Sequence, residues 1–491
     1  MIINMKINKL FNLALVLFGS FYLTSCHEMD LFPQDQLGPD NFWKSERDIE
    51  MGLTGVYSKM RNGYMDWNMY WLEGITDNAY CRHGSQMVFF NMQQGYIEPT
   101  TGGPVSDIYA GSYVGISACN VFLKNFYQVK EAIFTSDSDA NKYEAEVRFL
   151  RAYCYFNLAM HYGDVPLYKE LLDTIDDYKV KQSSAEDVYA FINEDLDFAI
   201  ENLEDVAYAS GHAVKSSAKA LKARVALFRG DWKTVEDETK GIINAGKNKL
   251  ADTYESIFIK REGQANNPEI IFSINYLNPD YRHNAEMEFY YWNALTPTKD
   301  LIDIYDTEKD TRFKSWYVYV GKGEKTWTNP FGEEVEMEQT SLTGYVLLKH
   351  FDKNNKSIYA NTAYDFRTDN NIIVLRYADV LLMYVEAMLE QNNGVTTDPL
   401  AVQSFNSIRE RAGLETLSSV TRDGLRNERR RELAFEGLRH FDLVRWKIAK
   451  DVMNNLVTPG GPCHFEDRYY VWPFPQSEID INPKLDQKSG Y

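Results

Sequence analysis

KYEAEVRFLRAYCYFNLAMH, residues 142–161, is the stretch from which the architecture of this chain can be read. Val147, Leu150, Cys154 and Leu158 recur at helical spacing, and Ala145, Phe149, Ala152, Phe156 and Ala159 fill in between them. Apolar side chains therefore cover most of the helix circumference, and a helix of that kind has to be buried between neighbours. Gly163 and Pro166 end it. The segment Ser184 to Leu203 supplies a partner, with Val188, Ile192, Leu196 and Ile200 in one stripe.

Outward from this pair the pattern repeats. Ser216 to Arg229 is rich in alanine and leucine, Gly230 suits a helix C′ position, and Asp231 can cap a following helix. Arg229-Gly230-Asp231 spells an integrin-binding tripeptide, but its position reads as the tight turn between two helices. A third pair spans Ile372 to Gln391 and Pro399 to Arg411. A fourth begins near Arg422, runs through Arg426 to Glu436, and continues as Leu438 to Met453. Helix pairs joined by short turns resemble tetratricopeptide units, so the predicted fold is mainly α, with about four such pairs as scaffold near 142–250 and 371–455. Two regions differ in texture, 61–115 and 250–370, where short apolar or β-like runs (Glu269 to Tyr276, Gly344 to His350) alternate with Asn, Gly and Pro clusters. Long irregular insertions with short strands on a helical scaffold are predicted to form the ligand face.

Composition narrows the function. A formal net charge of −19 opposes binding to phosphate backbones, which excludes nucleic acid as a partner. Aromatic residues make up 14% of the chain, with 33 tyrosines, and flat rings serve both cores and ligand platforms. Lys6 and Lys9 precede an apolar run, Leu10 to Leu23, that is too short for the ~20 residues of a membrane span and reads as the core of a signal peptide. The run closes on Leu23-Thr24-Ser25-Cys26, which resembles a bacterial lipobox and makes Cys26 the expected lipidation site. The expected organisation is a leader at 1–25, a lipidated cysteine and flexible tether at 26–40, and one helical domain at 41–491. The other cysteines, Cys81, Cys119, Cys154 and Cys463, are too sparse for a disulfide scaffold, and Cys154 reads as a small core residue.

In order along the chain, a series of blocks is similar to the SusD/RagB family of Bacteroidota outer-membrane lipoproteins. They are Asn41-Phe42-Trp43-Lys44-Ser45 with Gly52, Gly55 and Tyr57; Asp77-Asn78; Ala118-Cys119-Asn120; and Phe149 to Tyr153 followed by Tyr162-Gly163-Asp164-Val165-Pro166. Then come Leu375 to Tyr384, Asn427 to Gly437, Phe441 to Trp446, Trp472-Pro473-Phe474-Pro475, Asn482-Pro483 and the final Gly490-Tyr491, with Lys488-Ser489 departing from the usual residues before that ending. The resemblance implies a non-catalytic cell-surface protein that collects oligosaccharides, or in some members peptides, and passes them to a partner SusC-like TonB-dependent transporter. It also implies lipid anchoring at the outer membrane and no cofactor.

Sugar capture asks for aromatic faces against the C–H face of a pyranose and planar polar groups for its hydroxyls. The first insertion offers Arg82, His83, Phe90, Asn91 and Tyr96, and the second offers Tyr291, Trp292, Trp316 and Trp327, with Trp292 and Trp316 foremost. Trp67, Tyr70 and Trp71 read as core. Arg426, Arg429, Arg430 and Arg431 alternate with Glu428, Glu432 and Glu436, so the expected role of that helix is ion pairing along its own length, locking the last helix pair. A glycosidase would need two carboxylates across a bound sugar, and no GxSxG, HExxH or P-loop motif is present. Asp303, Asp306, Glu308 and Asp310 lack EF-hand spacing and read as solvated surface; a structural calcium ion is the one inorganic ligand the sequence leaves open.

Overall fold

Asp137–Tyr162 forms one helix of 26 residues whose central and C-terminal turns are buried on every side. A helix without a polar face must be covered all round, and the helices before and after it do so. The computed structural model describes residues 42–81, 84–209, 211–354 and 367–491. The leader 1–25, Cys26, the tether 26–40 and two candidate ligand residues, Arg82 and His83, lie outside the described residues. We label the helices α1 (Glu46–Lys59), α2 (Met87–Gln93), α3 (Pro104–Ile133), α4 (Asp137–Tyr162), α5 (Ala185–Asn202), α6 (Lys215–Arg229), α7 (Trp232–Ala245), α8 (Tyr377–Glu390), α9 (Pro399–Arg411), α10 (Arg422–Leu433), α11 (Arg439–Arg445) and α12 (Ala449–Asn454). The strands are β1 (Ala79–Cys81), β2 (Ile270–Ile274), β3 (Leu295–Pro297), β4 (Tyr317–Tyr319), β5 (Thr326–Thr328), β6 (Glu334–Glu336), β7 (Tyr345–Leu347) and β8 (Ile372–Arg376).

The scaffold is a stack of paired helices. α4 packs on α3 and α5, α6 on α7, and α8 on α7, α9 and α10. At the α6–α7 turn Gly230 takes the left-handed conformation (φ 74°), and the Asp231 carboxylate accepts the Thr234 N–H at 3.2 Å. Arg229-Gly230-Asp231 is thus a turn built for two helix ends. The four cysteines among the described residues are buried free thiols, and Cys154 lies between the sulfurs of Met60 (3.8 Å) and Met65 (3.7 Å).

Three expected boundaries move. The first insertion does not run to 115, because α3 starts at Pro104, the first helical position, where proline's missing N–H costs nothing. Its apolar stripe was hidden by Gly111 and Gly115, which are glycines because of packing. A Cβ on Gly111 would lie 2.3 Å from the Gly63 Cα, and one on Gly115 would lie 2.5 Å from the Cys154 sulfur. Ile372 to Arg376 is a strand rather than the first turns of a helix, since it pairs antiparallel with β2, Ile274 opposite Ile372 and Ile270 opposite Arg376. Leu438 to Met453 breaks into α11 and α12 at Lys447, whose φ is 57°.

The charges of α10 also behave differently from the expectation. Arg431–Glu428 (2.8 Å) is an ion pair within the helix, but the others reach outward. Glu432 accepts from Arg376 (2.7 Å), Arg411 (2.7 Å) and Arg312 (2.9 Å). Glu436, just past the helix, accepts from Arg376 and from Lys349, both at 2.7 Å. Arg429 holds Asp379 and Asp442, while Arg430 reaches Asp77 (3.0 Å) and Asp300 (2.7 Å). Apart from the exposed Asp300 these side chains are largely buried, so each charge has to be compensated by a partner. Burial works against the charged form of Glu432, yet its three guanidinium partners hold it well below the usual carboxylate range. Because Arg312 and Lys349 belong to the second insertion and Asp77 to the first, α10 fastens both insertions to the scaffold.

Candidate ligand-binding face

Hydrogen bonds join the two insertions directly. β1 of the first pairs antiparallel with β3 of the second, Ala79 opposite Pro297 and Cys81 opposite Leu295. At the inner end of this ribbon the Thr298 hydroxyl donates to the Asp77 carbonyl at 2.5 Å. Burial opposes ionisation of Asp77, but Arg430 and Arg439 override it and hold the carboxyl at about 2, so it remains a permanent anion beneath the ribbon. Arg439 grips it with two bonds of 2.8 and 2.7 Å.

At the other end of the ribbon the chain enters β3 through Tyr291-Trp292-Asn293. Met287–Tyr291 is a turn of π-helix, in which the Trp292 N–H donates to the Met287 carbonyl at 2.9 Å. Such turns widen the helix and are frequent at functional sites. Asn293 takes a positive φ of 46°, and the Ala294 N–H donates to the Glu288 carbonyl at 2.9 Å, which swings the chain into the strand. Tyr291 and Trp292 are left half-buried. Glu288 beneath them is buried and pushed up to about 7 by burial alone.

The first insertion contributes α2 and the turn after it. Phe90 stands edge-on to Tyr80 of β1, with ring centroids 6.1 Å apart at 89°. Gly460 lies against both rings; a Cβ there would sit 2.3 Å from Phe90 and 3.0 Å from Tyr80. Asn91 is exposed, and its carbonyl accepts the Tyr96 N–H at 3.0 Å, holding Tyr96 with 66% of its surface in solvent. Phe90, Asn91 and Tyr96 on one side, and Tyr291 and Trp292 on the other, are therefore tied to one ribbon.

Trp316 and Trp327 do not join them. Trp316 is 2% exposed, wedged between Tyr254 (5.0 Å) and Phe258 (6.3 Å), with the Lys349 ammonium 3.8 Å over its ring. Both of its faces are covered, so it cannot stack on a ligand in this fold. Trp327 is buried in a small satellite core with Met337, Val346 and Phe351, and its indole N–H donates to the Tyr290 hydroxyl at 3.0 Å. Trp71 and Tyr70 are core, as expected, while Trp67 is half-buried and stacks on His283 at 5.9 Å. The sequence reading passed over two exposed tyrosines of the second insertion. Tyr281 carries the Arg61 guanidinium 3.9 Å over its ring, and Tyr319 lies 5.0 Å from Tyr345. Their signal was position: Tyr281 follows Asn278-Pro279-Asp280 and Tyr319 precedes Gly321, both turn sequences. Asp310, expected at the surface, is buried and pairs with Arg312 at 2.8 Å.

Among the described residues no group of three or more His, Cys, Asp or Glu is disposed to hold a metal, and no helix is long and apolar enough to cross a membrane. The chemistry this face presents is that of binding: ring faces, an amide and ribbon edges.

Comparison with known proteins agrees with this architecture. A model described as the SusD family matches residues 130–491, and one described as starch-binding, associating with the outer membrane, matches residues 30–227. SusD-like protein P2 of Formosa agariphila is 25% identical, over 94% of this chain and 96% of its own length. The starch-binding protein SusD of Bacteroides thetaiotaomicron is 23% identical, over 72% of this chain and 74% of its own. A crystal structure of a SusD-like carbohydrate-binding protein from Bacteroides fragilis superposes with a TM-score of 0.77 at 26% identity, covering 91% of this chain and 100% of that one. With its scaffold of helix pairs and a family match over most of its length, the chain belongs to the SusD family.

Proposed function

We propose that this chain is a non-catalytic, cell-surface glycan-binding lipoprotein of the outer membrane that captures oligosaccharides and delivers them to a SusC-like TonB-dependent transporter. The observation that carries the reading is the ribbon joining the two insertions, which holds Trp292, Tyr291 and Tyr96 partly open to solvent. Aromatic faces of this kind gain binding energy from the C–H faces of sugars, and relatives that bind starch and carbohydrate support the same ligand class. Calorimetric titration with a panel of soluble oligosaccharides tests it. At least one glycan is expected to bind and to be recovered uncleaved, and Trp292→Ala should weaken that binding at least tenfold, about 1.4 kcal/mol. Trp316→Ala should instead lower the unfolding temperature, since it empties a core position. Absence of binding to any glycan, with a peptide ligand in its place, would overturn the reading.

Acylation of Cys26 would keep the receptor beside its channel and raise its effective concentration there. One lipid signal anchors weakly unless a second contact contributes, and the transporter supplies that contact. In detergent-solubilised outer membrane the chain should co-purify with a TonB-dependent transporter, and Cys26→Ser should shift it to the soluble fraction. Retention of the Cys26→Ser protein in membranes that lack the transporter would refute the lipid anchor.

A further inference from the structure

A groove of about 280 Å³ runs beside α3 and shares no residue with the face described above. Four tyrosines line it in a continuous chain of ring contacts: Tyr109–Tyr113 at 4.8 Å, Tyr113–Tyr168 at 5.5 Å and Tyr168–Tyr178 at 5.1 Å. Three of their hydroxyls are already engaged by backbone. Tyr113 donates to the Pro166 carbonyl (2.7 Å), Tyr168 to the Tyr178 carbonyl (2.7 Å), and the Tyr178 hydroxyl accepts the Leu172 N–H (3.1 Å). The amide of Asn120 is engaged at both atoms, donating to the Tyr168 carbonyl (3.0 Å) and accepting from Arg151 (2.8 Å). Three of the four rings are therefore anchored to the backbone through their hydroxyls.

One charged residue lines the groove. Glu478 projects into it from the Gln476–Ile481 helical turn, half-buried, and no lysine, arginine or histidine is among the lining residues. Among the described residues no cation lies within ion-pair distance of it, and burial raises its carboxyl, the signature of an acid that lost water and gained no partner. The adjoining surface of α3 is apolar: Val114 and Val121, 41% and 39% exposed, stand one heptad apart on either side of the groove residue Ser117. A neutral sugar would leave the Glu478 carboxylate without a counter-charge. A guanidinium needs ring faces for cation–π contact and one carboxylate, which it has. An aromatic pocket with one desolvated charge and an apolar surround is the anatomy of an interface hot spot.

We propose that this groove is a protein-docking surface that takes an arginine side chain from a partner, the guanidinium lying on the tyrosine faces and pairing with Glu478. The proposal does not rest on the glycan reading. N-acetyl-arginine amide, titrated into the purified full chain and followed by saturation-transfer NMR, tests it against N-acetyl-citrulline amide, its neutral isostere. The arginine probe should bind saturably with Kd on the order of 1–10 mM, and the citrulline probe at least tenfold more weakly. Glu478→Gln should cost the same factor, and so should Ser117→Arg, which fills the groove from an exposed helical position. Glycan titration should be unchanged in both variants. Equal binding of the two probes, retention of binding by Glu478→Gln, no binding at all, or displacement of the arginine probe by a neutral oligosaccharide would each overturn the proposal.

Discussion

Arg376 is 1% exposed and meets three carboxylates, Glu269 (2.8 Å), Glu432 (2.7 Å) and Glu436 (2.7 Å). Buried charges of this kind contribute little net stability while paired, but removing one partner leaves the others stranded. Arg376→Met is expected to lower unfolding stability by about 3–5 kcal/mol, measured by denaturant titration at pH 8. The pH dependence follows from the sign of the change. Without the guanidinium, Glu436 is left with Lys349 and Glu432 with Arg411 and Arg312, so both folded-state carboxyls lie higher than in the parent and the variant takes up protons first as pH falls. The deficit should therefore narrow as pH falls through the carboxylate range, while the parent protein, whose Glu432 and Glu436 are depressed, loses their contribution only below that range. Single residues were the least legible part of this sequence. Trp292 and Trp316 look alike on paper, both in one aromatic-rich insertion, and only the positions of Tyr254, Phe258 and Lys349 decide that the second is sealed. Burial of an aromatic depends on neighbours distant in sequence, which no local pattern encodes.

Elements were easier to read, and the exceptions are instructive. α4, α5, α6, α7 and α9 stand within a few residues of their expected places because apolar periodicity, caps and turn residues all agree. β8 was misread because a short, wholly apolar run looks the same in a helix and in a buried strand; pairing with β2 decides it. α3 starts earlier than the sequence suggests because glycine carries no hydrophobic signal, although Gly111 packs on the Gly63 backbone and Gly115 on the Cys154 and Met60 side chains. Gly111→Ala is the corresponding test. Its Cβ would meet the Gly63 Cα at 2.3 Å, and the contact atom is backbone, which cannot rotate away. Overpacking of this kind costs about 1–3 kcal/mol, so the apparent melting temperature should fall; Gly55→Ala, where a Cβ meets nothing within 4 Å on α1, should leave it unchanged or raised.

On the scale of the whole molecule, the division into a helical scaffold and two irregular insertions was legible, although the first, read as 61–115, ends where α3 begins at Pro104. What escaped was how the parts are fastened. The arginines of α10 were expected to bind their own helix, yet they and their glutamates reach Asp77, Asp300, Arg312 and Lys349, in both insertions. Mixed-charge helices carry the same sequence pattern whether their partners lie one turn away or across a domain. The β4–β7 pair forms a neck, Tyr317 opposite Leu347, and the β5–β6 ribbon extends beyond it. That ribbon touches the face from behind: Trp327 donates to Tyr290, and the Glu338 N–H donates to the Tyr291 carbonyl at 2.9 Å. The segment between Tyr319 and Tyr345 is consequently rooted at one neck and joined to the face by its side. Its roots are bolted down by Arg312 and Lys349, and a change in the ribbon would reach the turn bearing Trp292 through these two hydrogen bonds. If Trp292 meets the ligand as proposed, ligand preference is open to retuning from behind, by residues that never touch the ligand.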